Sequence, residues 1–276
     1  MSISRIAESI KGSKNAVLDK LAAQLSGAGK IVIDLSKGEL GISPPDGFLK
    51  NAAKAVTAGV NGYTETIRLP NLRDLVAEYA NHKYEVEVGC DEIAITAGAK
   101  PALYSIALAL INPGDEFIIL VPYWSTFPEQ VILAGGVPRM IDPGPEGVPA
   151  IDDIRRAVTA RTKAILVNSP NNPTGLVYPD SLVRAIVDLA ASECTFVIFD
   201  QSYYSLRYTD EMRSSFVAQT RGYDRAIIVD SFSKAWALTG WRIGYVCASR
   251  AIISLIKSIQ THINSSPNCV TQFALL

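Results

Sequence analysis

Hydrophobic positions along most of this chain come in blocks. From about residue 91 onward, short apolar runs alternate with longer amphipathic stretches. The runs Ile93–Thr96, Glu116–Val121, Val137–Ile141, Lys163–Asn168, Thr195–Asp200, Ala226–Asp230 and Gly244–Ala248 predict strands. Ala164-Ile165-Leu166-Val167 and Phe196-Val197-Ile198-Phe199 are apolar at every position, as in strands covered on both faces. Between them the pattern predicts helices over Ala102–Leu110, Phe127–Ala134, Asp180–Ala191 and Ala251–His262. Turn chemistry such as Asn112-Pro113-Gly114-Asp115 and Gly135-Gly136 punctuates the series. This alternation predicts an α/β fold, a mainly parallel sheet of roughly seven strands between helices. Ligands of such sheets gather at the carboxyl ends of the strands.

The first ninety residues read differently. Helical patterns at Asn15–Leu25, Gly47–Ala58 and Leu69–Lys83 are joined by a Gly/Pro-rich link over 37–46. Pro44-Pro45 predicts a boundary there, separating residues 1–46 from a large domain over 47–276.

Composition narrows the function classes. The chain has 276 residues, 48% hydrophobic and 19% charged, enough apolar material for an extensive core. A net charge of −1 gives no electrostatic reason to expect nucleic acid or an anionic membrane as partner. No apolar run reaches membrane length, and residues 1–30 show no apolar leader core, so a cytoplasmic setting is expected. Cys90, Cys194, Cys247 and Cys269 lack paired spacing, and His82 and His262 lie far apart, so no metal site is expected. Cys194 and Cys247 sit beside apolar runs and read as buried free thiols.

Three segments carry the candidate chemistry, each at the end of a predicted strand. In Ser231-Phe232-Ser233-Lys234, an amine follows two hydroxyl residues, and Arg242 stands eight positions on. That set suits a phosphorylated aldehyde: the lysine bonds the carbonyl carbon while Ser231, Ser233 and Arg242 hold the phosphate. A solvated loop lysine would give the same local pattern. In Phe199-Asp200-Gln201-Ser202-Tyr203, an acid ends an apolar strand, where an unpaired carboxylate is costly. A protonated ring nitrogen would supply the missing charge, although a helix-capping aspartate is the common alternative. Asn168-Ser169-Pro170-Asn171-Asn172-Pro173-Thr174-Gly175 offers a neutral amide donor in Asn172, and a plain turn would use the same residues.

Taken together and in this order, the motifs at 169–175, 200–203 and 233–245 resemble those of class I/II aminotransferases. These are fold-type I enzymes dependent on pyridoxal 5′-phosphate, and the chain is most similar to the prokaryotic aspartate aminotransferase branch. The resemblance implies a fold-type I large domain plus part of a small α/β domain contributed by residues 1–46. It implies that Lys234 carries the cofactor as a Schiff base and moves the substrate proton. By the same resemblance Asp200 pairs with the pyridine nitrogen, and Tyr203 and Asn172 bond the phenolic oxygen. Ser231, Ser233, Arg242 and the helix start at Ala99 and Lys100 would hold phosphate. Trp124 would stack on the ring, although core packing explains it almost as well. Gly38 would lie over the substrate, and Lys100 would meet the distal carboxylate of an aspartate-type substrate. Tyr63 would reach the phosphate of the neighbouring subunit in a homodimer.

The implied activity is transamination between an L-amino acid and a 2-oxo acid by a ping-pong route. A C–S lyase on the same scaffold and an inactive cofactor-binding homologue are the alternatives. Relatives of this kind continue past the position of Leu276 into a segment bearing a carboxylate-binding arginine. A C-terminally truncated copy, of doubtful competence as it stands, is therefore expected.

Overall fold

The computed structural model describes residues 3–12, 14–36, 38–67, 69–144, 146–208 and 223–276. Lys37, first residue of the predicted link, lies outside them. Seven strands form one sheet: β1 Ile93–Thr96, β2 Glu116–Leu120, β3 Val137–Ile141, β4 Thr162–Asn168, β5 Phe196–Asp200, β6 Ala226–Ser231 and β7 Gly244–Cys247. Their order is β1-β7-β6-β5-β4-β2-β3. β2, β3, β4, β5 and β6 run parallel, and β7 is antiparallel to both β1 and β6. The α/β architecture and mainly parallel seven-stranded sheet expected from the pattern are thus present.

Alternate residues of the apolar runs feed two faces. Phe117, Ile119, Leu166 and Ile198 join one core cluster with Leu103 and Ile106 of the helix Ala99–Leu110 and Ile252 and Ile256 of the helix Arg250–Ile263. Ile118, Leu120, Ile165, Val197 and Phe199 join another with Val183 and Ile186 of the helix Asp180–Ser192. Each such side chain contributes roughly 1.5–3 kcal/mol on burial. Both faces being dry is why these runs show no polar alternation. Two short helices, Arg5–Ser9 and Ile151–Ala157, went unforeseen. Cys247 is buried as expected, but Cys194 is exposed. It sits with φ 52° in the turn after the helix Asp180–Ser192, so the neighbouring apolar run does not enclose it.

A third cluster, between β1, β7 and the helix Pro70–Tyr84, encloses a charged pair. Asp230 Oδ2 accepts from Lys83 Nζ at 2.7 Å, Tyr84 Oη at 2.5 Å and Tyr245 Oη at 2.9 Å. Its Oδ1 accepts from the Ser231 N–H at 2.6 Å. Burial alone would lower the Lys83 ammonium, but Asp230 and Tyr79 together outweigh it and the net direction is upward. Breaking such a pair leaves a buried charge without its partner. Lys83→Met is expected to destabilise the chain by about 3–5 kcal/mol. Lys83→Met combined with Asp230→Asn should lose clearly less, as read by chemical denaturation. Equal losses in the single and double variants would show that charge pairing is not the reason.

Candidate active site

The topology collects chemistry-bearing residues at one end of the sheet. Asn168 and Asp200 are register partners at the ends of β4 and β5, and Ser231 ends β6 beside them. Ser231 pairs with Gly244, which in turn pairs with Thr96 at the end of β1. A Cβ at Gly244 would lie 2.6 Å from the Asp230 carbonyl oxygen and 3.1 Å from the Ala99 nitrogen, so only glycine lets the start of the helix Ala99–Leu110 approach β6. A cleft of about 480 Å³ opens there.

Eleven of the twelve residues proposed from the sequence line this cleft: Lys234, Asp200, Tyr203, Asn172, Ser231, Ser233, Arg242, Ala99, Lys100, Trp124 and Gly38. Tyr63 does not; it is 95% exposed elsewhere on the chain. Asn168, Ser202 and Thr239 also line the cleft and were not singled out from the sequence. Asn168 Oδ1 accepts from the Asn172 N–H at 2.9 Å, and its Nδ2 donates to the Asp200 carbonyl at 3.2 Å, so it fixes the loop to the strand end. An amide ending an apolar strand beside a Pro/Asn-rich turn was the available signal.

Lys234 is half-buried in the short helix Phe232–Ala235. Desolvation and the Arg242 guanidinium lower its pKa, outweighing the opposing pull of Glu39. Its Nζ donates to the Gly38 carbonyl. A Cβ at Gly38 would lie 2.8 Å from that nitrogen, so a side chain there would displace the amine. Asn172 Nδ2 donates to Tyr203 Oη at 3.3 Å, so the two groups expected to share one acceptor already converge. Lys100 Nζ lies 4.8 Å from the Trp124 ring centroid.

Asp200 is buried, and among the described residues its carboxylate accepts only from Ser202, through the N–H at 3.1 Å and Oγ–H at 2.7 Å, both to Oδ1. Among the described residues no cation pairs with it. Burial pushes its pKa up to about 6, Ser202 opposes this, and Asp230 adds to it.

These features were tested against pyridoxal 5′-phosphate. A buried carboxylate lacking a counter-charge suits a protonated pyridine nitrogen. Ser231, Ser233, Arg242 and the helix start after Gly98 (φ +98°) make an anion cradle. A Cβ at Gly98 would lie 2.8 Å from Arg242 Nη2, so the glycine admits the guanidinium to the cradle. The residues fit the group.

Comparison with known proteins decides the family: the profile for aminotransferase class I and II matches residues 30–275. The chain belongs to this family. The aminotransferase is 36% identical to a probable aspartate/prephenate aminotransferase of Thermus aquaticus, over 99% of this chain and 71% of the relative. It is 35% identical to an aspartate aminotransferase of Thermotoga maritima, over 99% of this chain and 73% of the relative. Its fold superposes on the Thermus thermophilus aspartate aminotransferase solved with maleate at TM-score 0.94, with 34% identity, covering 99% and 72% of the two chains. Fold-type I architecture and dependence on pyridoxal 5′-phosphate go with the family.

The Asp200 environment gives this aminotransferase a testable stability signature. A folded pKa above the unfolded value favours folding at low pH, and the benefit is lost as pH rises through about 6. Asp200→Asn should therefore stabilise the cofactor-free chain by on the order of 2 kcal/mol at pH 8. The gain should shrink through pH 6 and vanish below about pH 4, where the wild-type carboxyl is neutral in both states. Denaturation at several pH values checks this, and equal stability at pH 8 contradicts it.

Proposed function

We propose that the chain transfers an amino group between an aspartate- or glutamate-type amino acid and a 2-oxo acid, in a two-stage exchange through bound pyridoxal 5′-phosphate. The observation that carries the reading is the shared cleft: a half-buried lysine with lowered pKa, a buried unpaired carboxylate and an anion cradle face one space. The cofactor supplies an aldehyde that takes up amines and a ring that, when its nitrogen is protonated, draws electrons from the substrate Cα.

The chain supplies the rest. Lys234 Nζ, its pKa lowered by burial and by Arg242, would hold the cofactor through its aldehyde carbon and would move the proton at the substrate Cα. Asp200 keeps the ring nitrogen protonated. Asn172 Nδ2 and Tyr203 Oη would donate to the ring oxygen, and Trp124 would pack against the ring. Ser231, Ser233, Arg242 and the backbone N–H groups of Ala99 and Lys100 hold the phosphate. Gly38 leaves room for the substrate beside Lys234.

A dicarboxylic substrate is supported by the exposed Lys100 ammonium at the cleft and by the names of the relatives, one of which was solved with the dicarboxylate maleate. Tyr63, exposed and outside this cleft, suits a contribution to the site of a second copy in a homodimer. Residues 1–46 then act as an arm and part of a small domain over the 47–276 large domain. No helix among the described residues is long and apolar enough to cross a membrane, in keeping with a cytoplasmic setting.

The chain incubated with pyridoxal 5′-phosphate, L-aspartate and 2-oxoglutarate should release oxaloacetate and glutamate. Lys234→Ala should cut that rate by about a thousandfold or more. Lys100→Met should raise KM for aspartate by about tenfold while leaving alanine unaffected. Elimination products without amine transfer would replace this reading with a lyase, and bound cofactor without either reaction would make the chain a binding protein.

A further inference from the structure

The sharpest feature that the family reading does not use is Ser202. We propose that Ser202 is a positioning residue: its hydroxyl ties up Oδ1 of Asp200, leaving Oδ2 as the oxygen that receives the ring N–H of the cofactor. The inference rests on the proposed cofactor chemistry and adds to it a residue specific to this chain's Asp200-Gln201-Ser202-Tyr203 segment.

The geometry is local and directional. Asp200 ends β5, where Asn168 on the neighbouring β4 holds the Asp200 carbonyl. Two residues on, Ser202 turns back with its N–H and its Oγ–H both aimed at Oδ1. Among the described residues Oδ2 has no donor, although Asp200 lines the cleft. A carboxylate with one oxygen doubly bonded cannot rotate without breaking two hydrogen bonds, so its free oxygen is fixed. At 2.7 Å the hydroxyl bond is charge-assisted, and it favours the ionised form.

That preference matters because other groups oppose it. Burial disfavours the carboxylate, and Asp230, on the adjacent β6, adds a like charge. The Tyr203 phenol, raised by burial and by Asp200 itself, stays neutral and supplies no cation. Lys100, Lys234 and Arg242 are the charged groups lining the cleft with it, both lysines with their pKa lowered. Ser202 is thus the local donor that keeps Asp200 ionised, and a negative Asp200 is what holds a proton on the ring nitrogen. Among the described residues its hydroxyl has no other partner than this oxygen.

The test uses pyridoxal phosphate and its carbon analogue, in which CH replaces the ring nitrogen, as two probes of the cofactor-free chain. Their affinity ratio isolates the contact with Asp200, because phosphate and lysine titrations cancel. Ser202→Thr keeps the hydroxyl, and Ser202→Val has the same shape without it. The wild type and Ser202→Thr should both prefer pyridoxal phosphate. Ser202→Val should lose about tenfold of that preference near pH 7 and recover part of it by pH 9, as Asp200 ionises without help. Loss of a merely structural hydroxyl would weaken both probes equally. Equal ratios in Ser202→Val and the wild type overturn the role of Ser202. Failure of the wild type to bind either probe instead overturns the cofactor reading beneath it.

Discussion

A carboxylate buried at the end of a parallel strand, with no cation paired to it among the described residues, is the constraint around which this structure is organised. Asp200 is 4% exposed, and water cannot stabilise its charge. Chains keep such a group only where something other than folding requires it. Here the rest of the cleft states the requirement. A phosphate cradle, an amine with lowered pKa and two convergent neutral donors surround the same space. A positively charged ring nitrogen satisfies the carboxylate and orients the other three sets at once.

The sheet makes this convergence inexpensive. Parallel β4, β5 and β6 deliver Asn168, Asp200 and Ser231 side by side, because parallel strands point their carboxyl ends the same way. The antiparallel β7 then brings Gly244 between Ser231 and Thr96, which seats the start of the helix Ala99–Leu110 next to the cradle. Behind this layer, the Asp230–Lys83 pair and its two tyrosines anchor the residue immediately before Ser231. A second buried carboxylate thus serves the fold, with its charge fully matched, while Asp200 is left unmatched. The contrast between the two acids, which sit near the ends of neighbouring strands, separates structural from functional charge.

Much of this was legible in the sequence. Continuous apolar runs such as Ala164-Ile165-Leu166-Val167 announce strands covered on both faces, and the observed bounds of β4 and β5 differ from the predicted ones by one residue. Strand direction was less visible, since an apolar run reads alike in either sense, and the antiparallel setting of β7 follows from tertiary pairing alone. The helix Ile151–Ala157 was missed because it is only seven residues long and its apolar face, Ile151, Ile154 and Ala157, is broken by four charged residues. Lys234, Asp200 and Asn172 each have an ordinary structural use alone, and stood out because their three motifs occur together, in order, at strand ends. Ser202 and Asn168 did not, since their value lies in bonds of 2.7 and 2.9 Å that only the folded turn creates. Cys194 misled because burial is decided by the direction of a turn.

The central claim is that Lys234 Nζ is the amine that holds the cofactor aldehyde. Sodium borohydride reduction of the chain incubated with pyridoxal 5′-phosphate, followed by digestion and mass mapping, tests it most directly. A single pyridoxyl adduct on the peptide containing Lys234 is the predicted result. An unlabelled Lys234, or an adduct carried instead by a surface lysine such as Lys257, would contradict it.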